Sequence, residues 1–185
     1  MPLVPVDLGA KEQFSEAYTK INPRRVVPTL VLDDCTVVGE VPAIQRYLEE
    51  IYPEPPLFGA TPKTRAQVAM WDRRVEMEGF ASVMEAVRNA VPGLKSRAIA
   101  GPHDYEQIPA LVERSRKRVE NFYADFNARL ADAPFIAGDE FSVADITGVV
   151  TVDFATKAAE LPIGDKHPAL KRWYDSVSAH ASMGA

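Results

Sequence analysis

Cysteine and histidine are scarce in this chain: one cysteine, Cys35, and three histidines among 185 residues. A lone thiol forms no internal disulfide, which excludes a disulfide-stapled scaffold and suits a reducing, cytoplasmic address. His103, His167 and His180 stand far apart, without the short spacings of a metal site, so no metal is expected. Basic blocks are absent as well. The 21 Lys and Arg are interspersed with 26 Asp and Glu for a net charge of −5, which leaves nothing to track a phosphate backbone and argues against a nucleic-acid partner. No apolar run approaches the roughly 20 residues that span a bilayer. The first residues show neither a basic leader nor a small-residue cleavage site, so no membrane association is expected. What the chain does have is 46% hydrophobic residues against 25% charged, enough to pack a core in one compact domain or two small ones.

Residues 3–8, LVPVDL, read as a short strand. The stretch from Lys11 to Ile21 then places Phe14, Ala17, Tyr18 and Ile21 at helical spacing. Asn22-Pro23 breaks that helix, because a proline disfavours a helical residue before it, and Val26 to Leu32 is a β-branched apolar run that predicts a second strand. Asp33-Asp34 predicts a turn, Thr36 to Val38 an antiparallel return strand, and Ala43 to Ile51 a helix with Ile44, Tyr47, Leu48 and Ile51 on one face. From Tyr52 to Lys63 the sequence YPEPPLFGATPK carries four prolines and a glycine and marks an extended connector. Helical spacing dominates thereafter, over Thr64 to Ala90, Tyr105 to Leu130, Val143 to Ala159 and Pro168 to Ser178. The organisation expected is residues 1–52 as an α/β part, 53–63 as linker and 64–185 as an all-α part, an α+β chain in all.

Several local signals have structural readings. Ser142-Val143-Ala144-Asp145 fits a capping box, in which serine and acid each satisfy an orphan amide of the helix start, with Phe141 and Ile146 as a hydrophobic staple. Val27-Pro28-Thr29 opens a strand, where the residues alone predict an ordinary edge proline, since a cis bond has a prior of only about 5%. Cys35 lies in DDCT with no neighbouring histidine or helix start to activate it as a nucleophile. Arg73-Arg74 and Glu76-Met77-Glu78 form a mixed-charge cluster for which three readings compete: a solvated face, a subunit interface, or the wall of a substrate pocket. Met70, Met77 and Met84 recur at sevenfold spacing beside Trp71, a pattern of cores, interfaces and adaptable pockets alike.

Two strings carry a resemblance. INPRRVVPTLVLDD followed by GEVPAIQRYLEEIYPEPPLFG resembles the second half of the thioredoxin-like domain of cytosolic glutathione S-transferases of bacterial type. There an asparagine-proline loop, a valine-cis-proline and an acidic residue before A-I-x-x-Y-L recur in that order. PFIAGDEFSVADI and HPALKRWYDSV resemble two helices of that family's C-terminal part, so the likeness covers nearly the whole chain from Leu3 onward.

The resemblance implies a thioredoxin-like N-terminal domain followed by an all-α helix bundle. It implies glutathione as cosubstrate, a small apolar electrophile as its partner, a detoxifying transferase activity of the general conjugating type, and a homodimer. Pro28 would be the cis-proline, and Val27 would offer its backbone amide and carbonyl to the cysteinyl part of glutathione. Glu40 matches the acidic position that pairs with the γ-glutamyl ammonium. Val41 stands where the family usually has serine or threonine, leaving a helix-start amide for the γ-glutamyl carboxylate. The loop has Arg25 and Val26 where glycine and a lysine or glutamine are usual, so Arg25 is the candidate for the glycyl carboxylate. Trp71, Arg74 and Met77 are the candidates for the electrophile wall. The resemblance also implies a strand and helix ahead of residue 3, incomplete here, which would hold the central strand of the sheet and the thiol-activating residue. No catalytic residue is therefore named within the chain. A non-catalytic dimeric binding or scaffold protein of the same fold is the alternative reading.

Overall fold

The computed structural model describes residues 2–180. It separates into two compact units, Met1–Pro55 with Ile99–Tyr105, and Pro56–Ala98 with Glu106–Ala185.

In the first unit a single turn of 3-10 helix, Glu12–Phe14, precedes helix α1, Glu16–Ile21. A two-stranded antiparallel sheet follows, β1 Thr29–Val31 and β2 Val37–Gly39, in the register Thr29 opposite Gly39, Leu30 opposite Val38 and Val31 opposite Val37. Helix α2, Val41–Ile51, closes the run. The hairpin turn is held by the Cys35 amide on the Leu32 carbonyl at 2.9 Å and the Thr36 amide on Asp34 Oδ1 at 2.9 Å. Only Gln13 and Asn22 are buried in this unit among the described residues; every buried apolar side chain lies in the other.

Three expected elements of the first unit change. LVPVDL forms no strand: Pro2 and Pro5 lack amide donors, it enters no ladder among the described residues, and Leu3 and Val4 are 95% and 83% exposed. The helix expected over Lys11 to Ile21 is split at Ser15, whose backbone is extended and whose Oγ accepts the Tyr18 amide at 3.1 Å. A serine there caps a new helix more favourably than it extends an old one. The strand expected over Val26 to Leu32 shrinks to Thr29–Val31, because Pro28 has no amide and the Val26 carbonyl is bonded by side chains instead.

The second unit is a helix bundle. Helix α3, Pro62–Arg74, starts on a reciprocal cap in which Thr61 N donates to Thr64 Oγ1 at 2.9 Å and Thr64 N to Thr61 Oγ1 at 3.1 Å, with Pro62 in the first turn. It runs through a π-helical stretch, Val75–Phe80, into α4, Ala81–Ala90. The sequence predicts unbroken α-helix here. The wider turn falls where Gly79 brings the backbone against Phe122, so close that a Cβ would sit 2.8 Å from the ring. Helix α5 spans Ala110–Ala131, starting five residues later than the periodicity suggests. Ile108-Pro109 keeps the preceding chain extended, and Gln107 Nε2 caps α4 by donating to the Arg88 and Val91 carbonyls, each at 2.8 Å. Helices α6, Val143–Ala158, and α7, Pro168–Ser178, complete the unit.

Part of the stretch expected as an extended connector is bonded to this bundle. Leu57 O accepts the Val143 amide at 3.0 Å at the start of α6, and Gly59 O accepts Arg65 Nε at 2.9 Å. The core behind it contains Val75, Val83, Phe126, Leu130, Ile136, Leu170 and Trp173. At its centre Asp145, fully buried, accepts the Ile136 amide at 2.9 Å and Trp173 Nε1 at 2.8 Å on Oδ1. Its Oδ2 takes the Ser142 amide at 2.9 Å and the Ser142 hydroxyl at 3.0 Å. Burial pushes the Asp145 carboxyl above its ordinary value, against the pull of those four hydrogen bonds. The Ser142–Asp145 box thus does more than cap α6: it ties the loop before α6 to α7.

Candidate functional site

The candidate residues of the first unit lie on the loop between α1 and β1 and at the step from β2 to α2. Asn22 ends α1. Its carbonyl accepts the Arg25 amide at 2.9 Å and its Oδ1 the Arg24 amide at 3.0 Å, which turns the chain back over the helix end. The Val27-Pro28 bond is cis, where the residues alone predict an ordinary edge proline and the family resemblance implies cis. A second cis bond, Glu54-Pro55, has no counterpart in the sequence reading.

At the other end of the hairpin Glu40 occupies the position before α2, and its carbonyl accepts the Ala43 and Ile44 amides at 3.0 and 3.1 Å. Its carboxylate caps nothing and stands 3.5 Å from Arg24 Nε, an exposed pair worth less than about 1 kcal/mol. Val41 follows as the first residue of α2 and is exposed. Arg25, Cys35 and Glu40 have φ of 56°, 69° and 69°. Left-handed backbone at non-glycine residues costs of order 1–3 kcal/mol each and collects at binding sites.

Arg25 turns toward the helix side. Its guanidinium lies 6.0 Å from the centre of the Phe14 ring, and its buried Nε has no hydrogen-bond partner. Cys35 is exposed.

The candidates of the second unit fall on α3 and the π-helical stretch. Arg74 stacks on Trp71 with its guanidinium 4.6 Å from the ring centre, while Arg129 lies 4.9 Å from the same ring. Arg74 also makes a two-pronged pair with Glu78, at 2.9 and 3.1 Å, which holds the guanidinium above its ordinary pKa. Trp71 and Arg74 are thus engaged with each other, whereas Met77 presents an exposed side chain and gives only its carbonyl, to Arg118 Nη2 at 2.9 Å. Among the described residues no group of three His, Cys, Asp or Glu side chains stands together as a metal site would need, and no helix is long and apolar enough to cross a membrane.

The sequence reading singled out Val27 and Pro28 but not the side chains that hold their loop. Tyr18 Oη donates to the Val26 carbonyl at 2.7 Å and lies 2.8 Å from Thr29 Oγ1. Asn22 Nδ2 donates to that carbonyl at 3.0 Å and to Thr29 Oγ1 at 2.9 Å. One signal was available: Tyr18 and Asn22 are four residues apart, one inside α1 and the other just past its end, immediately before the loop.

Comparison with known proteins completes the picture. Residues 2–56 match the glutathione S-transferase N-terminal domain and residues 109–176 the glutathione S-transferase C-terminal domain. Glutathione S-transferase 2 of Saccharomyces cerevisiae is 30% identical over 181 residues, 97% of this chain and 75% of that protein. Among solved structures, Gtt2 of the same yeast superposes with a TM-score of 0.88 at 28% identity, over 99% of this chain and 85% of the other. A glutathione S-transferase domain-containing protein of Marinobacter aquaeolei gives 0.87 at 33% identity, over 97% and 85%. The fold class is therefore α+β, a thioredoxin-like N-terminal part followed by a helical C-terminal part, and the chain belongs to the glutathione S-transferase family.

Proposed function

We propose that this protein is a glutathione transferase, holding glutathione on the surface formed by residues 25–41 and presenting its thiolate to a small apolar electrophile. The observation that supports this most directly is the pairing, in one small unit, of the exposed Val27-Pro28 turn with a bare helix start at Glu40-Val41.

The chemistry of the tripeptide fits those groups. The Val27 amide and carbonyl take the cysteinyl backbone as a short antiparallel pairing. The Val41 amide and the helix dipole at the start of α2 favour the γ-glutamyl carboxylate, since Pro42 has no amide and the Ala43 amide is spent on the Glu40 carbonyl, and Glu40 takes the neighbouring ammonium. Val41 contributes an amide but no hydroxyl, which weakens the grip by about 1 kcal/mol relative to a serine there. Arg25 takes the glycyl carboxylate after swinging from Phe14, a move its unpartnered Nε makes inexpensive. Binding of this kind holds the sulfur in a fixed place, and lowering its pKa supplies the nucleophile. Within the second unit, Trp71, Arg74 and Met77 are the residues proposed for the apolar electrophile: Met77 has an exposed, adaptable thioether, and Arg74 stacks on Trp71. The working form is a homodimer in the cytoplasm.

Calorimetry with glutathione, followed by the ultraviolet thiolate titration of the bound thiol, tests the reading. Saturable binding is expected, and a thiol pKa below that of free glutathione would locate an activating group within this chain. Absence of binding at millimolar glutathione sinks the enzyme reading and leaves the non-catalytic scaffold.

A further inference from the structure

The three side chains that grip the loop before β1 all converge on one atom. Tyr18 Oη and Asn22 Nδ2 donate to the Val26 carbonyl oxygen at 2.7 and 3.0 Å, and Thr29 Oγ1 stands 3.4 Å from it. Thr29 Oγ1 in turn lies within 2.9 Å of both Tyr18 and Asn22, so the three polar groups also bond one another. Asn22 is 6% exposed and spends both ends of its amide here, Oδ1 on the Arg24 amide and Nδ2 on this cluster. For a loop in a unit without a buried apolar side chain among its described residues, that is a concentrated use of polar groups.

The consequence lies in the peptide plane. Val26 and Val27 share one trans peptide, since the only cis bonds among the described residues are at Pro28 and Pro55. In a trans peptide the C=O and N–H point in opposite directions within one rigid plane. Fixing the Val26 carbonyl toward Tyr18 and Asn22 therefore aims the Val27 amide hydrogen away from them. The Val27 amide is the donor assigned above to the cysteinyl carbonyl of glutathione.

We infer that Tyr18, Asn22 and Thr29 are positioning residues for glutathione, setting the direction of the Val27 amide through the Val26 carbonyl. The inference rests on the reading of Val27 as a glutathione contact. Without the lock the 26–27 peptide rotates, and the ligand pays to restore its orientation on binding. None of the three side chains touches the ligand; their effect passes through one peptide plane.

The test uses S-methylglutathione, whose blocked sulfur makes binding independent of thiol activation, titrated by calorimetry into the wild-type chain and into Tyr18→Phe, Thr29→Val and Thr29→Ser. Tyr18→Phe removes one oxygen and Thr29→Val replaces the hydroxyl by a methyl group, so both spare the packing, while Thr29→Ser keeps the hydroxyl. The expected result is a Kd raised about 5- to 15-fold in Tyr18→Phe and Thr29→Val, the range that one lost hydrogen bond commands. Thr29→Ser should stay within about twofold of wild type. In proton–nitrogen correlation spectra the ligand-induced shift of the Val27 amide should shrink in the two weakened variants. If the wild-type chain does not bind S-methylglutathione, the glutathione reading itself fails. If it binds and the variants bind equally well, or if Thr29→Ser is weakened as much as Thr29→Val, the positioning role is overturned and the cluster is structural only.

Discussion

Replacing Asp145 by alanine removes the acceptor on which the loop before α6 and the ring of Trp173 both depend. Three fixed donors lose their partner: the Ile136 amide, the Ser142 amide and Trp173 Nε1, on residues no more than 2% exposed. The Ser142 hydroxyl can rotate to another acceptor, but the three N–H groups cannot. A buried donor left unsatisfied costs about 1–3 kcal/mol, and because the three share one site their costs do not simply add. The expected loss is about 3–6 kcal/mol, a large part of the roughly 5–15 kcal/mol that holds a domain together. In thermal terms this is a fall of about 10–20 °C in Tm. Asp145→Asn separates the contributions: it keeps an oxygen for Ile136 and Trp173 but turns an NH2 group toward the Ser142 amide, for an intermediate loss of about 1–3 kcal/mol. Urea unfolding followed by tryptophan fluorescence measures both. An alanine variant that folds and loses less than about 1 kcal/mol would refute the reasoning that this carboxylate organises the bundle.

Other outcomes follow from the same coordinates. Gly79→Ala should gain up to about 1 kcal/mol of helix propensity yet lose about 1–3 kcal/mol to the clash 2.8 Å from the Phe122 ring, a net destabilisation readable by the same unfolding assay. His167 is buried, with Nε2 unpartnered, and burial followed by Lys166 lowers its pKa from the ordinary 6.5. The unfolded chain therefore takes that proton first. The stabilisation is complete above the unfolded value and is lost as pH falls through the folded one, so His167→Asn should flatten the fall in Tm measured between about pH 7.5 and 5. Amides of the β1–β2 hairpin, in a unit with no buried apolar side chain among its described residues, should exchange with solvent at least about 100-fold faster than those of Phe126 or Val152 in the core.

Legibility from sequence followed the strength of periodicity. Helix α6 and helix α7 lie where their spacing places them, because α6 opens on a capping box, α7 opens on a proline in its first turn, and both carry apolar residues at helical spacing. Over the first residues the signals were short and ambiguous. LVPVDL has the composition of a strand, but composition supplies no partner, and Ser15 sat inside a helical pattern whose apolar positions ignore what a hydroxyl does to the backbone. The Ser142–Asp145 box was readable from four letters. Its bonds to Ile136 and Trp173 were not, since only the tertiary fold brings residues 28 apart in sequence onto one carboxylate. In the candidate site the letters VP pointed to the exposed turn. The Tyr18, Asn22 and Thr29 lock became visible only when the chain folded back eleven residues to close it.

The central claim, that residues 25–41 hold glutathione, is tested most directly by following backbone amide shifts of the labelled chain as glutathione is added. The account predicts saturable shifts concentrated at Val27, Glu40 and Val41, with affinity about tenfold weaker in Glu40→Gln, as expected for loss of one charge-assisted contact. Shifts that fail to saturate at millimolar glutathione, or that saturate elsewhere while these three amides stay still, would contradict it.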